Sequence, residues 1–206
     1  MHIDIAELSN KAPFALIQNM YEEQEVKEIF LELEYLRSRP AIWKDPEDSG
    51  SAKGHEGALL KKNKALFLNT LYSDTNASSI LTNNLKLYTS NTILTTLTQA
   101  HSWFNYVFLN SEFTTLLSYY EDSDYYEAHT DKSVMTSLTW FYKEPKRFEG
   151  GNLILNKEAE IECNSNMTII FPSTVLHEVT KISMKAPYEN QNMGRFTITN
   201  FISTVM

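Results

Sequence analysis

The stretch YYEAHTD, residues 125–131, places a histidine two residues before an aspartate, directly after aromatic residues. Tyrosine favours extended chain, so the stretch predicts a β-strand. Residues i and i+2 of a strand point to the same face, and His129 and Asp131 are therefore expected to lie side by side. An imidazole beside a carboxylate can bind a metal, but the same pair is also common as a simple hydrogen-bonded surface pair.

A second histidine strengthens the metal interpretation. His177 follows a β-rich run and a turn at Pro172, far from Asp131 in the sequence. Two imidazoles and one carboxylate are the ligands of the facial triad of non-haem Fe(II) sites, which leaves coordination positions open. The same ligand count also fits zinc.

Arg195 lies in the alternating segment GRFTITNF, which predicts a strand with Arg195, Thr197 and Thr199 on one face. A guanidinium on an inward face is costly unless it meets a carboxylate, and its planar fork suits bidentate binding of one. Taken alone, Arg195 would be assigned to the surface. Together with the two histidines and the aspartate, it is expected to bind a carboxylate.

The segments that must position these residues differ between the two parts of the chain. Before residue 110, apolar residues recur at spacings of three and four, which predicts helices. After residue 112, short β-rich runs separated by turn residues predict a sandwich or barrel. We therefore expect one mainly β domain over 1–206, with a helix-rich support, 1–110, packed outside a β-sandwich core, 111–206.

Composition disfavours several classes of protein. A net charge of −8 argues against a nucleic-acid partner, which needs a basic face. The single cysteine, Cys163, is expected to be buried and predicts a reducing compartment. Neither a secretory signal nor an apolar run long enough to span a bilayer is evident, so a soluble cytoplasmic protein without a membrane partner is expected.

Two further segments have predicted local roles. The Gly-, Ser- and Asp-rich residues 45–57 are expected to be poorly ordered without substrate and to close over it. The segment FEGG predicts a tight turn that depends on Gly150 and Gly151. Trp140 is interpreted as a core residue. Trp43 precedes the 45–57 loop, and the sequence is compatible with either a core position or a contact with substrate.

Four ordered elements carry a family resemblance: YYEDSDYYEAHTD, FEGGNLIL, NMTIIFPSTVLHEVTKI and GRFTITNF. They resemble the catalytic domain of the 2-oxoglutarate- and Fe(II)-dependent dioxygenases, in the prolyl 4-hydroxylase-like branch. The resemblance implies a double-stranded β-helix (jelly-roll) core. Two departures concern geometry: EDSDY replaces the usual glycine before His-x-Asp, and SMKAPYENQ lengthens the stretch before Arg195.

The resemblance also implies roles for individual residues. It assigns the iron ligands to His129, Asp131 and His177. It assigns the distal carboxylate of 2-oxoglutarate to Arg195 and Tyr120, with Tyr119 as the alternative to Tyr120 and Thr197 as a further contact.

The activity implied is hydroxylation of an unactivated C–H bond, with 2-oxoglutarate converted to succinate and CO2. Fe(II), 2-oxoglutarate and dioxygen are required, and ascorbate is an accessory. The branch points to prolyl 4-hydroxylation of a peptide or protein, and hydroxylation of another side chain or of a free amino acid is the alternative. Nucleic-acid demethylation is disfavoured because FTITNFISTVM lacks a second arginine. A non-catalytic β-sandwich binding module is the alternative from another class, although it would not need Arg195 and the three ligands together.

Overall fold

The computed structural model describes residues 1–109 and 112–203. Its strands form two main antiparallel sheets with a cavity between them. The larger sheet has seven strands in the spatial order β1 (His2–Glu7), β2 (Pro13–Gln18), β11 (Met167–Pro172), β7 (Met135–Tyr142), β14 (Arg195–Ser203), β5 (Glu112–Tyr120) and β4 (Lys64–Phe67). The smaller sheet has five, in the order β10 (Ala159–Ile161), β9 (Leu153–Leu155), β12 (His177–Val179), β6 (Tyr125–His129) and β3 (Lys61–Lys62). A separate pair joins β13 (Ser183–Met184) to β8 (Phe148–Glu149).

Helices cover the outer face of the larger sheet. They are α1 (Glu23–Arg37), α2 (Leu68–Leu71), α3 (Ser79–Asn84), α4 (Lys86–Thr89) and α5 (Asn91–Ala100), with 3-10 turns at Pro40–Ile42, His55–Gly57, Thr75–Ala77 and Ser102–Leu109. The Glu25 carboxylate accepts a 2.6 Å hydrogen bond from the Glu22 backbone N–H at the start of α1. The apolar stripe of α1 buries Ile29, Leu33 and Leu36 against the sheet. None of the helices in the described part of the chain is long and apolar enough to cross a membrane.

Strand β14 separates two apolar cores because its side chains alternate between the faces of the larger sheet. Phe196 and Ile198 pack with the helices, whereas Arg195 and Thr197 line the cavity. Its neighbour β7 is buried at every residue, as expected for a strand in the middle of a covered sheet. The predicted mainly β fold with flanking helices is confirmed.

The N-terminal part is less helical than predicted. Residues 1–18 form β1 and β2, which extend one side of the larger sheet, and β3 and β4 also precede residue 110. The alternation in HIDIAE, which places Ile3 and Ile5 on one face, is the signal that could have identified β1. The boundary proposed at 110/111 falls outside the described residues and stays a prediction.

The backbone conformation of the FEGG turn explains why it contains two glycines. Gly150 and Gly151 have φ values of +73° and +69°, a region that side chains disfavour. A Cβ on Gly150 would also lie 2.1 Å from the carbonyl oxygen of Lys181. The turn therefore tolerates no side chain at Gly150 without displacement of the backbone.

We predict that Gly150→Ala is more destabilising than Gly57→Ala. Gly57 also has a positive φ, +81°, but a Cβ there would lie more than 4 Å from every heavy atom of the described residues outside its own turn of the chain. Gly57→Ala should therefore cost only the backbone strain, about 1–2 kcal/mol, whereas Gly150→Ala adds a clash with backbone. Thermal unfolding of the two variants measures the difference, and equal melting temperatures would show that the turn relaxes freely.

Candidate active site

Three potential metal ligands meet at the mouth of the cavity. His129 ends β6 and lies directly opposite His177, the first residue of β12, in the antiparallel pair. Asp131 follows β6 by two residues, and its Oδ1 and Oδ2 lie 3.8 Å from His129 Nε2 and 3.4 Å from His177 Nε2. One ligand atom from each residue lies within 4.8 Å of the other two. The structure therefore brings together the three residues that the sequence singled out.

Hydrogen bonds fix the two imidazole rings in one tautomer. The Nδ1 atoms of His129 and His177 lie 2.8 Å and 2.9 Å from the carbonyl oxygens of Glu127 and Val175. A carbonyl only accepts, so Nδ1 carries the proton and each Nε2 presents a lone pair. Burial lowers the pKa of each ring to about 4. Both rings are therefore neutral at pH 7, which is the form that binds a cation.

The carboxylate of Asp131 is held by a cluster of hydroxyl groups. Thr136 Oγ1 donates to Asp131 Oδ2 at 2.7 Å, and the same hydroxyl lies 2.8 Å from Ser173 Oγ. The backbone N–H of Asp131 donates to the Ser173 carbonyl. Burial raises the pKa of this carboxyl group, and a bound cation would oppose that shift.

A buried arginine lies deeper in the same cavity. Arg195 is fully buried, and its Nη1 donates to the carbonyl oxygen of Gly151. Its guanidinium carbon lies 4.5 Å from the centroid of the Tyr120 ring. Nε and Nη2 have no hydrogen-bond partner, and no carboxylate pairs with the guanidinium, among residues 1–109 and 112–203. A buried cation of this kind is stabilised when an anion enters the cavity.

Two more donors of the cavity lack partners. Thr197 Oγ1 and Trp140 Nε1 are buried and make no hydrogen bond within the described ranges. The two residues are directly opposite each other on β14 and β7, and both line the cavity with Arg195. Trp140 packs in the core, as predicted, but the sequence did not indicate that this residue would line the cavity with an unpaired indole N–H. The pairing of Trp140 with Thr197, a candidate contact of 2-oxoglutarate, would have identified it, but this register cannot be derived from the sequence.

The structure distinguishes the two neighbouring tyrosines. Tyr120 lines the cavity against Arg195. Tyr119 points to the helical side, where its hydroxyl donates to Glu121 and accepts a 3.0 Å hydrogen bond from the Gly194 backbone N–H. Strand β5 pairs with β14 without a bulge, so Tyr120 rather than Tyr119 faces the cavity.

The 45–57 segment borders the cavity through backbone contacts. The Ala52 N–H donates to the Tyr126 hydroxyl at 2.9 Å, and the Tyr126 ring stacks on His129 with centroids 3.6 Å apart. Gly50 is among the lining residues. Whether this segment is ordered only with substrate stays a prediction.

The remaining candidates lie away from the site. Trp43 is buried in the helical core, and its Nε1 donates to the carbonyl of Leu36. Cys163 is fully buried, in agreement with its expected core role. The side chain of His55 is 96% exposed and lies in no cluster of potential metal ligands in the described residues.

Comparisons of sequence find similar proteins for the C-terminal part of the chain. Residues 115–203 match the 2OG-Fe(II) oxygenase superfamily. A PKHD-type hydroxylase from Crocosphaera subtropica is 32% identical over 77 residues, which cover 32% of this chain and 35% of that protein. A PKHD-type hydroxylase from Acinetobacter baumannii is 31% identical over 83 residues, with 33% and 37% covered. The chain thus spans little more than a third of the length of these relatives.

Comparisons of structure extend over nearly the whole chain. A prolyl-4-hydroxylase from Pseudomonas putida superimposes with a TM-score of 0.60 at 13% identity, covering 94% of this chain and 93% of that one. A 2OG-Fe(II) oxygenase family oxidoreductase from Burkholderia pseudomallei gives 0.53 at 12% identity, covering 92% and 84%. At such low identity the likeness concerns the fold, and it confirms the double-stranded β-helix core.

The residues present fit the Fe(II) and 2-oxoglutarate that this family implies. Two neutral imidazoles and one carboxylate offer an N2O donor set with room for further ligands. The unpaired guanidinium of Arg195, with Thr197 and Trp140 beside it, offers donors to a carboxylate in the same cavity.

We predict that Asp131→Asn weakens Fe(II) binding by at least about 100-fold, because even loss of a group that only orients a ligand costs roughly 10- to 100-fold. Asp4→Asn, at an exposed position on β1, should leave the Fe(II) affinity unchanged. Anaerobic calorimetric titration with Fe(II) measures both affinities, and circular dichroism checks the fold. Equal affinities for Asp131→Asn and the unsubstituted protein would remove Asp131 from the ligand set.

Proposed function

We propose that this chain, whose residues 115–203 match the 2OG-Fe(II) oxygenase superfamily, is a 2-oxoglutarate-dependent hydroxylase of prolyl residues in a peptide or protein, acting at ring carbon 4. One observation carries the proposal. A single cavity has three metal-ligating side chains at its mouth and a buried, unpaired guanidinium deeper inside. A metal site alone would not need the guanidinium, whereas a dicarboxylate cosubstrate does. The prolyl assignment is supported by the likeness to the Pseudomonas putida prolyl-4-hydroxylase.

The proposed mechanism assigns each residue a positioning task. His129, Asp131 and His177 hold Fe(II). When bound together, Fe(II), 2-oxoglutarate and dioxygen supply the oxidation that hydroxylates a C–H bond and releases succinate and CO2. Arg195 and Tyr120 bind the distal carboxylate of 2-oxoglutarate and so fix its orientation in the cavity.

The protein environment supports these tasks electrostatically. The Gly151 carbonyl accepts from Nη1 and leaves Nε and Nη2 of Arg195 free for a carboxylate. The Glu127 and Val175 carbonyls keep both Nε2 atoms unprotonated. Arg195, His129 and His177 are buried, and the low local dielectric strengthens each of these interactions.

Two readouts test the reaction itself. The Fe(II)-loaded protein should release succinate from 2-oxoglutarate, which separates an oxygenase from a binding module. A proline-containing peptide library should gain 16 Da only in the presence of 2-oxoglutarate, and peptides with 4-hydroxyproline in place of proline should remain unmodified. Succinate without a prolyl product would retain the oxygenase and move the substrate to another side chain or to a free amino acid.

We predict that Arg195→Ala raises the KM for 2-oxoglutarate by roughly 100-fold or more, because a broken buried charge pair costs about 3–5 kcal/mol. Arg195→Lys should recover part of the loss, since it retains the charge without the planar fork. Tyr120→Phe should cost less, near the ~1.5–3 kcal/mol of a hydrogen bond to a charged group.

The control for these substitutions is Arg39→Ala, at an exposed arginine whose guanidinium lies over Tyr35. It should leave the KM unchanged, and none of the variants should alter Fe(II) affinity. An Arg195→Ala protein with an unchanged KM for 2-oxoglutarate would show that the distal carboxylate binds elsewhere.

We predict that removal of residues 45–57 raises the KM for a peptide substrate far more than the KM for 2-oxoglutarate. The segment contacts Tyr126 and borders the cavity mouth, where a peptide would enter. The proposed 2-oxoglutarate contacts, Arg195 and Thr197, lie on β14, which the deletion leaves intact. Steady-state kinetics with each substrate varied in turn measures both constants. Equal increases would place the segment outside the peptide-binding region.

A further inference from the structure

Lys61 is a buried cation that the proposed mechanism does not use. It lies on β3, outside the matched residues 115–203, and lines the cavity with His129 and Asp131. Its side chain is almost completely enclosed, with only 4% of the residue exposed. Lysine is rarely buried to this extent unless an anion accompanies it.

The ammonium group of Lys61 is incompletely satisfied. Nζ donates one hydrogen bond, of 3.0 Å, to the carbonyl oxygen of Ser49. It lies 5.6 Å from the centroid of the Tyr126 ring. Within the described ranges it forms no ion pair with a carboxylate. Burial lowers the pKa of Lys61 to about 8, so the cation is still the main form at pH 7, and an anion beside it would favour that form further.

The neighbours of Lys61 place it beside the reaction centre. On the paired strands β3 and β6, Lys61 is directly opposite Tyr126, whose ring stacks on His129. Its chain neighbour Lys62 points outward instead, where Nζ contacts Ser123 and lies 3.5 Å from Asp124 Oδ1. The two lysines therefore offer a matched pair, one facing the cavity and one facing solvent.

We propose that Lys61 is a substrate-binding residue that recognises a carboxylate carried by the substrate of the hydroxylation. The inference rests on the proposed function, in which Arg195 is already occupied by the distal carboxylate of 2-oxoglutarate. A single cation matches a singly charged group, and the net charge of −8 disfavours polyanionic ligands such as nucleic acid. The preferred substrate is therefore an acidic peptide segment, or a molecule that retains a free α-carboxylate.

The test measures binding to the full chain loaded with Mn(II) and 2-oxoglutarate without oxygen, so that no turnover interferes. The first probes are terminally blocked pentapeptides with a central proline, in which Asp or Asn occupies each other position in turn. The second are L-proline and L-prolinamide, and the same peptides with free or amidated C-termini. Calorimetry gives the dissociation constants, and the two sets distinguish a side-chain carboxylate from an α-carboxylate.

We expect at least one carboxylate probe to bind roughly tenfold or more tightly than its amide partner, as a hydrogen bond to a charged group implies. Lys61→Met should abolish this preference, Lys61→Arg should retain part of it, and Lys62→Met should leave it intact. Circular dichroism checks that Lys61→Met retains the fold, and limited proteolysis at residues 45–57 checks that it retains the conformation around Ser49. Lys61→Gln serves as a second neutral variant.

Three results would overturn the proposal. The first is equal affinity for the acid and the amide in every pair, and the second is an unchanged preference for the acid in both neutral variants. The third is weaker binding of 2-oxoglutarate by Lys61→Met when no peptide or amino-acid probe is present. The last would assign Lys61 to the cosubstrate. Binding of 2-oxoglutarate to the unsubstituted protein is measured in the same titrations. Its absence would contradict the proposed function, whereas its presence without carboxylate discrimination would contradict the role of Lys61 alone.

Discussion

The unpaired guanidinium of Arg195 is the constraint on which the organisation of the site depends. A buried cation is costly, and the fold stabilises it with one carbonyl, from Gly151, and one aromatic face, from Tyr120. That carbonyl reaches the guanidinium from a turn whose left-handed backbone requires Gly150 and Gly151. The turn, the end of β5 and the start of β14 must therefore meet at one point, and the charge that remains there is available to a ligand.

The helical layer contributes to the site indirectly, through the register of β14. One face of this strand presents Arg195 and Thr197 to the cavity, and the other buries Phe196 and Ile198 against the helices. A slip of one residue would place the guanidinium in the apolar helical core and a phenyl ring in the cavity. Burial of the apolar face thus specifies the position of the polar face, even though none of the helices in residues 1–109 and 112–203 supplies a potential metal ligand.

The sequence was sufficient for the metal-binding candidates but not for the whole cavity. His129 and Asp131 could be predicted because strand alternation is local, and His177 because its residue type completes a known donor set. Lys61 and the indole N–H of Trp140 could not, because their access to the cavity depends on which strands pair and in which register. The strands of residues 1–18 were missed for a related reason: a weak period-two pattern becomes a strand only beside a sheet that it can extend.

The contacts of Tyr126 connect the cavity entrance to the metal centre. Its ring stacks on His129 and its hydroxyl accepts a hydrogen bond from the Ala52 backbone. Because one rigid side chain makes both contacts, a metal held by His129 and a displacement of the entrance segment would both act on Tyr126, and any coupling between them would be reciprocal. Any free energy by which the contact between Ala52 and Tyr126 favours metal retention would equal the free energy by which the metal favours that contact. Such coupling would make hydrogen exchange at the Ala52 amide a gauge of metal loading, readable in the absence of any substrate.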